Sequence, residues 1–128
     1  MKLNKKIKEK SKKSKKVLSK RQDFFKKVYT VTKKIPYGKV STYGDIAEAC
    51  GIRSSARTVG WALNGCGPDI PAHRVVNRFG ALTGKVHFGD PNLMEELLRN
   101  EGIEFDDEGC VRLEKHLWIP GKIKKKRS

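Results

Sequence analysis

Cysteine is the most reactive side chain in this sequence, and its spacing decides which chemistry the chain can support. The three cysteines (Cys50, Cys66 and Cys110) are scattered, with no C-x-x-C pair and no cysteine–histidine spacing suited to zinc. An odd number of cysteines without a secretion signal is typical of reduced thiols in a cytoplasm. The sequence therefore predicts a cytoplasmic protein with no metal site and no cofactor.

Lysine and arginine are the other side chains that could bind a partner, because the formal net charge is +15. Residues 1–20 carry ten lysines against Glu9, a net +9, and residues 121–128 carry a net +5. Segment 21–85 has a net charge of +7, whereas 86–120 has −6. Such charges attract a polyanion, so we expect 21–85 to contain the contact face. Two questions stay open: the lysines of the tails could merely confer solubility, and the acidic 86–120 could dock a partner.

Three regions differ in their ability to fold. Residues 1–20 lack apolar periodicity and are predicted to be a disordered lysine-rich arm, and 121–128 a basic tail. Residues 21–120 have the composition and length of one domain with a real core. No apolar run reaches the eighteen residues of a membrane span, so we expect no membrane partner.

Three helices are predicted in the first half of this domain. Phe24, Phe25, Val28, Val31 and Ile35 recur at helical spacing after Asp23, and Pro36-Tyr37-Gly38 ends the helix. Thr42-x-x-Asp45 is typical of a capping box, and Gly51 suits the end of that second helix. Ser54 could cap a third helix to about Leu63. Two short helices joined by a tight turn, the second with an arginine near its start, indicate a helix-turn-helix.

The second half predicts a wing and one more helix. Val75-Val76 and Ala81–Gly84 could pair as strands around the turn 77–80, forming the wing. A helix is predicted over Asn92–Asn100, followed by short strands at 103–105 and 110–113. The predicted fold class is mainly α with short strands, a winged helix-turn-helix DNA-binding domain.

Five short sequence motifs, in order along the chain, resemble those of a known family. They are Ile35-Pro-Tyr-Gly-Lys-Val-Ser-Thr-Tyr-Gly44, Ala56-Arg-Thr-Val-Gly60, Ile70-Pro-Ala-His-Arg-Val-Val76, Gly80-Ala-Leu-Thr-Gly84 and Leu97-Leu-Arg-Asn-Glu-Gly102. Across about 22–118 the chain resembles the DNA-binding domain of the methylated-DNA–protein-cysteine methyltransferases. These repair guanine alkylated at its exocyclic oxygen by moving the alkyl group to their own cysteine.

The chain differs from that family at Ala72, the decisive position, because the family has its acceptor cysteine there, in a Pro-Cys-His-Arg motif. Alkyl transfer needs a thiolate, and a methyl side chain cannot accept an alkyl group. The family's activating histidine and glutamate are matched by His73 and Glu101. Either these two now shape the pocket or they hold the core as a buried hydrogen-bonded pair. Cys66, six residues before Ala72, is the alternative nucleophile.

The resemblance also implies how DNA would be held. Arg57 matches the arginine that fills the place of an extruded nucleotide, and Tyr43 matches the tyrosine that helps rotate a phosphate. A planar guanidinium can stack on bases, and small residues let a helix lie deep in a minor groove. The implied DNA contacts are Thr42, Tyr43, Ser55, Ala56, Arg57, Thr58 and Gly60. Outside this resemblance, Arg57 would be a solvated arginine and Tyr43 a core aromatic.

The implied base pocket is Pro71, Ala72, His73, Arg74 and Val75. The role of a family asparagine is not transferred to Asn64, because the following loop is about two residues shorter here. The family's pocket tyrosine is missing from 85–88, where His87 and Phe88 are candidates to replace it or are plain wing residues.

A chain with all of these DNA-binding motifs but without the acceptor cysteine resembles the alkyltransferase-like proteins. That resemblance implies a non-enzymatic monomer that binds duplex DNA with O6-alkylated guanine, flips the base and flags it for nucleotide-excision repair proteins. A winged-helix regulator is one alternative, although its recognition helix would carry more base-reading side chains than this one. A transferase using a non-standard nucleophile is the other.

Overall fold

The computed structural model describes residues 22–51 and 56–121. Five helices lie in these ranges: α1 over 22–33, α2 Tyr43–Ala49, α3 Ala56–Asn64, α4 Leu93–Asn100 and α5 Leu113–His116. Two short 3-10 helices, Ala72–Arg74 and Lys85–Phe88, and two strands, β1 Ser41–Thr42 and β2 Val75–Val76, connect them. The fold is therefore mainly helical with a small two-stranded sheet.

The cap at Thr42 confirms the predicted start of α2. The Thr42 hydroxyl accepts a hydrogen bond of 3.1 Å from the backbone amide of Asp45, satisfying one of the free amides at the helix start. Gly51 follows the helix with a φ of +85°, a conformation that L side chains rarely adopt. The predicted cap of α3 at Ser54 lies outside the described residues.

The small sheet corrects the predicted wing. β2 pairs in parallel with β1, Ser41 opposite Val75 and Thr42 opposite Val76, and not with 81–84. The Asn77 carboxamide oxygen accepts hydrogen bonds from the amides of Phe79 and Ala81, both 2.9 Å, so the chain folds into a compact turn. Residues 81–84 form no strand. The hairpin predicted there is wrong because this local side-chain bonding replaces a strand ladder.

The remaining predictions of local structure differ in outcome. The predicted helix at 92–100 is confirmed as α4, with Asn92 at its N-cap position. The predicted strands at 103–105 and 110–113 reduce to one antiparallel bridge between Phe105 and Val111. The Asp106 carboxylate accepts hydrogen bonds from the amides of Glu108 and Cys110, and this stabilises the turn between them.

The sheet joins two hydrophobic clusters. The first lies among α1, α2 and α3, and Val75 of β2 contributes to it. The second contains Val76 of the same strand with Met94 and Leu98 of α4. Adjacent residues of β2 therefore tie α2 and α3 to the second half of the domain, because successive side chains of a strand point to opposite faces.

No helix in the part of the chain that the structure describes is long and apolar enough to cross a membrane.

Candidate nucleic-acid interface and base cavity

An open cavity of about 1250 Å³ lies between α3 and the loops of the second half of the domain. Its walls come from the start of α2, one face of α3, the loop 66–71, the 3-10 helix Ala72–Arg74 and the turn 77–84. The helices α2 and α3 and the segment around Ala72 therefore contribute to one concave site. Such a site is large enough for a nucleobase, since small-molecule pockets commonly span ≈ 300–1,000 Å³.

The face of α3 that borders the cavity carries small residues, the polar side chains of Arg57 and Asn64, and the ring of Trp61. Val59, Ala62 and Leu63 are buried in the first cluster. The residues left on the cavity side are Ala56, Arg57, Gly60, Trp61 and Asn64. Arg57 is exposed at the N-terminal end of this face. The sequence folds this way because Val59, Ala62 and Leu63 recur on the inner side of the helix.

Tyr43 is held between α3 and the turn 83–84. A Cβ at Gly84 would lie 2.7 Å from the Tyr43 hydroxyl, so the ring occupies space that another residue at 84 would fill. Gly60 provides the matching space on α3, where a Cβ would lie 4.0 Å from the Tyr43 ring. Burial raises the pKa of the Tyr43 phenol, and a hydrogen bond with Thr83 partly opposes this effect. The hydroxyl therefore stays protonated at neutral pH and can donate a hydrogen bond.

Ala72 begins the 3-10 helix on the cavity wall. Its backbone amide donates a hydrogen bond of 2.7 Å to the Ile70 carbonyl, which fixes the turn that presents the side chain. Pro71 and His73 line the cavity with it. Between these two residues, Ala72 therefore presents a methyl group to the cavity. This group can make contacts but cannot act as a nucleophile.

Glu101 and the groups that bind it form a buried cluster, which we call the Glu101 clamp: His73, Arg74, Gly38 and Glu101. The His73 Nε2 atom lies 2.7 Å from Glu101 Oε2, and Arg74 Nε and Nη2 both donate to the same carboxylate at 3.0–3.1 Å. The Gly38 amide donates to Glu101 Oε1 at 2.9 Å. The Arg74 Nη1 atom also donates to the Ile35 carbonyl at 3.0 Å. The clamp thus joins the end of α1, the 3-10 helix and the end of α4.

The clamp keeps Glu101 ionised although the side chain is only 6% exposed. Burial alone would raise the pKa of this carboxyl. The hydrogen bonds from Arg74, Gly38 and His73, with the positive charge of Arg74, together outweigh burial and lower it. A carboxylate that accepts several charge-assisted hydrogen bonds is a strong structural link between segments.

Cys66 lies on the same cavity wall as Ala72 and is half-buried. Burial, together with the negative charge of Asp69, raises the pKa of its thiol, although a backbone hydrogen bond partly opposes this. A raised pKa leaves less thiolate at neutral pH, and the thiolate is the reactive form. The environment of Cys66 therefore does not favour a nucleophile.

The structure brings most of the predicted site residues together. Tyr43, Ala56, Arg57 and Gly60 line the cavity from one side, and Pro71, Ala72 and His73 line it from another. Thr42 caps α2 and is buried, Thr58 is half-buried on α3, and Val75 is fully buried in the sheet. Arg74 belongs to the clamp. Ser55 lies outside the described residues. The roles of these residues toward DNA stay predictions.

Comparison with known protein families decides which chemistry this arrangement is related to. The model of the 6-O-methylguanine DNA methyltransferase DNA-binding domain matches residues 23–103. The chain belongs to this family. The matched range contains every cavity-lining element described above.

Two relatives are matched by this chain over nearly their whole length. Alkyltransferase-like protein 1 of Schizosaccharomyces pombe is 36% identical over 104 residues, covering 77% of this chain and 96% of the relative. The DNA base-flipping protein of Vibrio parahaemolyticus is 38% identical over 99 residues, covering 76% and 97%. A methylated-DNA–protein-cysteine methyltransferase of Shigella flexneri is 42% identical over 82 residues, but only 46% of its length is covered.

Solved structures agree with these relationships. S. pombe Atl1 in complex with damaged DNA containing O6-carboxymethylguanine superposes with a TM-score of 0.68 at 36% identity, covering 77% of this chain and 97% of that chain. Mycobacterium tuberculosis OGT in complex with DNA gives a TM-score of 0.53 at 38% identity, covering 62% and 49%. The likeness is therefore to the DNA-binding domain of this family.

Two aromatic side chains at the cavity were missed by sequence reasoning. Trp61 on α3 is 60% exposed and Phe79 in the turn 77–80 is 66% exposed. The Arg78 guanidinium lies 4.7 Å from the centre of the Phe79 ring. Trp61 could have been found from the sequence, because it follows Arg57 by four residues and therefore shares its helix face. The turn at 77–80 was predicted, but the local sequence does not show that this turn places Phe79 at the cavity.

Proposed function

We propose that this protein recognises O6-alkylated guanine in duplex DNA, binding through the minor groove and holding the flipped base without reacting with it. The observation that carries the proposal is the shared cavity. Arg57, Tyr43 and Ala72 line the same concavity, so one complex could place an arginine in the base stack and the extruded base beside Ala72. The family of the chain and the similarity to an alkyltransferase-like protein and to a DNA base-flipping protein support it.

Arg57 and Tyr43 would manipulate the DNA. The guanidinium would enter the place of the flipped nucleotide, stacking on its neighbours and offsetting the few kcal/mol that unstacking costs. The protonated Tyr43 hydroxyl would donate to a phosphate near the target nucleotide. α2 and α3 would act as the helix-turn-helix, with segment 77–84 beside them in the position of a wing.

Ala72 makes the protein a binder and not an enzyme in this proposal. A methyl group at the acceptor position removes the chemistry and enlarges the pocket in the same change, so larger alkyl groups would fit. The clamp supports this reading, because His73 and Arg74 are bound to Glu101 and serve to position the 3-10 helix.

We further propose that the protein works as a monomer in the cytoplasm, associated with the nucleoid when bound to DNA. Because it would leave the lesion intact, nucleotide-excision repair proteins would be needed to remove it. The lysine-rich segments 1–20 and 121–128 would add non-specific attraction to the phosphate backbone.

The alternative with a specific observation behind it is transfer to Cys66, since that thiol borders the cavity. Its raised pKa argues against this route. A winged-helix regulator is less well supported. Such a protein reads bases with several Asn, Gln or Arg side chains along its recognition helix. Among the described residues, the cavity side of α3 carries two side chains of these types, Arg57 and Asn64.

The direct test combines binding with intact mass. The protein is titrated with duplexes that differ by a single O6-methylguanine, and the saturated sample is then weighed by mass spectrometry. We expect tighter binding to the methylated duplex and an unchanged protein mass, with Cys66→Ser behaving as wild type. A stoichiometric gain of one methyl group that Cys66→Ser abolishes would establish the transferase alternative, and equal binding to both duplexes would remove the proposal.

A further inference from the structure

Trp61 is not part of the buried face of α3. Its side chain is 60% exposed, on a helix whose inner face is already formed by Val59, Ala62 and Leu63. A single exposed apolar residue needs no explanation on a protein surface. Four large hydrophobic side chains are mostly exposed among the described residues, however, and two of them, Trp61 and Phe79, border the same cavity.

The surroundings of Trp61 are those of a surface that binds nucleic acid. Arg57 precedes it by one helical turn and Gly60 is its neighbour, so basic charge and close backbone access lie on the same face. Arg78 lies on another part of the cavity rim, against the Phe79 ring. Aromatic rings interleaved with arginines are typical of nucleic-acid interfaces, where the rings pack on bases and sugars and the cations contact phosphates.

We propose that Trp61 is a second DNA anchor, which packs its indole ring against the sugar and base edges of the minor groove beside the site of Arg57. Residues four apart in a helix differ by about 6 Å along the axis, which is about two nucleotides of a DNA strand. With α3 lying along the minor groove, Trp61 would reach the part of the groove next to the flipped nucleotide. This inference rests on the function proposed above and adds to it a contact that uses no charge.

Such an anchor has a signature that differs from that of Arg57. Because the ring packs on groove walls present in any duplex, Trp61→Ala lowers affinity for methylated and undamaged DNA alike, by roughly tenfold. The ratio of the two affinities stays within about twofold of wild type. The salt dependence of binding is unchanged, because no phosphate contact is lost. Trp61→Phe, which retains an aromatic ring, recovers most of the affinity.

Tryptophan fluorescence can report the contact directly, because the chain has two tryptophans. Trp118 is half-buried against the first cluster, so Trp118→Phe leaves Trp61 as the single emitter at a modest packing change. Ile119→Ala is the matched control, since Ile119 is 66% exposed but does not border the cavity.

The experiment titrates Trp118→Phe with methylated and undamaged duplexes and measures emission and acrylamide quenching, alongside the affinities of Trp61→Ala, Trp61→Phe and Ile119→Ala. We expect both duplexes to change the emission and to protect Trp61 from acrylamide, with only Trp61→Ala binding weakly. Emission and quenching that stay constant at saturation, or wild-type affinity of Trp61→Ala, would overturn the proposal. If wild type itself shows no preference for the methylated duplex, the proposed function fails first, and that result does not depend on Trp61.

Discussion

The cavity side of α3 and the Glu101 clamp lie on the same small domain but are built in opposite ways. In the clamp, a carboxylate that is 6% exposed is bound by Arg74, His73 and Gly38. On α3, Arg57 and Trp61 are exposed, and their neighbours are small. Groups that are already bound stabilise the fold, whereas exposed groups remain available to a partner. We therefore propose that His73 and Glu101 serve the fold of this chain, and that the exposed groups of α3 serve DNA binding.

We therefore expect variants of the two regions to differ in whether they lose stability or DNA recognition. Substitutions in the clamp should lower the free energy of unfolding, and the substitution of Arg57 on α3 should lower discrimination between damaged and undamaged DNA. A substitution that displaces Tyr43 from the cavity wall should lower both stability and DNA affinity.

The largest loss of stability is expected for Glu101→Gln. The amide keeps the shape of the side chain but removes the charge that compensates Arg74, which is 16% exposed. Removing one partner of a buried ion pair typically costs about 3 kcal/mol or more. Urea denaturation followed by circular dichroism measures the change. Glu95→Gln is the matched control, because Glu95 pairs with Arg99 on the surface and its loss should cost less than about 0.5 kcal/mol.

The same clamp predicts how stability depends on pH. The folded state lowers the pKa of Glu101 below its ordinary value of 4.5, so the unfolded chain takes up this proton first. The stabilisation is therefore complete above about pH 4.5 and is lost as the pH falls through the lower folded-state pKa. Denaturation curves at falling pH should show wild type losing more stability than Glu101→Gln. Parallel losses in the two proteins would show that the clamp carboxylate is not the group responsible.

An intermediate result is expected for Gly84→Ala. The new Cβ would lie 2.7 Å from the Tyr43 hydroxyl, so the rigid ring must move away from the cavity wall. Overpacking of this kind costs about 1–3 kcal/mol, and displacement of Tyr43 should weaken binding to both duplexes. Gly65→Ala is the control, because a Cβ at that position meets nothing within 4 Å. Wild-type DNA affinity of Gly84→Ala would show that the position of Tyr43 is unimportant.

The sequence predicted the elements whose signals are local. Thr42 and Asp45 are three residues apart, so their cap could be recognised from spacing, and the helix at 92–100 followed from its apolar period. The turn at 77–80 was predicted and is present, but the strand pairing of the wing was not predictable, because the partner of β2 lies 34 residues earlier, at β1. Trp61 is a different case, since its spacing from Arg57 was visible but its exposure was not.

Arg57→Ala should have the smallest effect on stability, within about 0.5 kcal/mol, because the side chain is exposed. It tests the central claim, that the cavity side of α3 flips a base. A duplex with a fluorescent base analogue opposite O6-methylguanine brightens when the base is unstacked, and the variant is compared with wild type and Arg57→Lys at saturation. We expect brightening with wild type, and a dim probe and little preference for the lesion with Arg57→Ala. Arg57→Lys should recover only in part, because an ammonium cannot stack as a guanidinium does. A variant Arg57→Ala that brightens the probe and prefers the lesion as wild type does would contradict it.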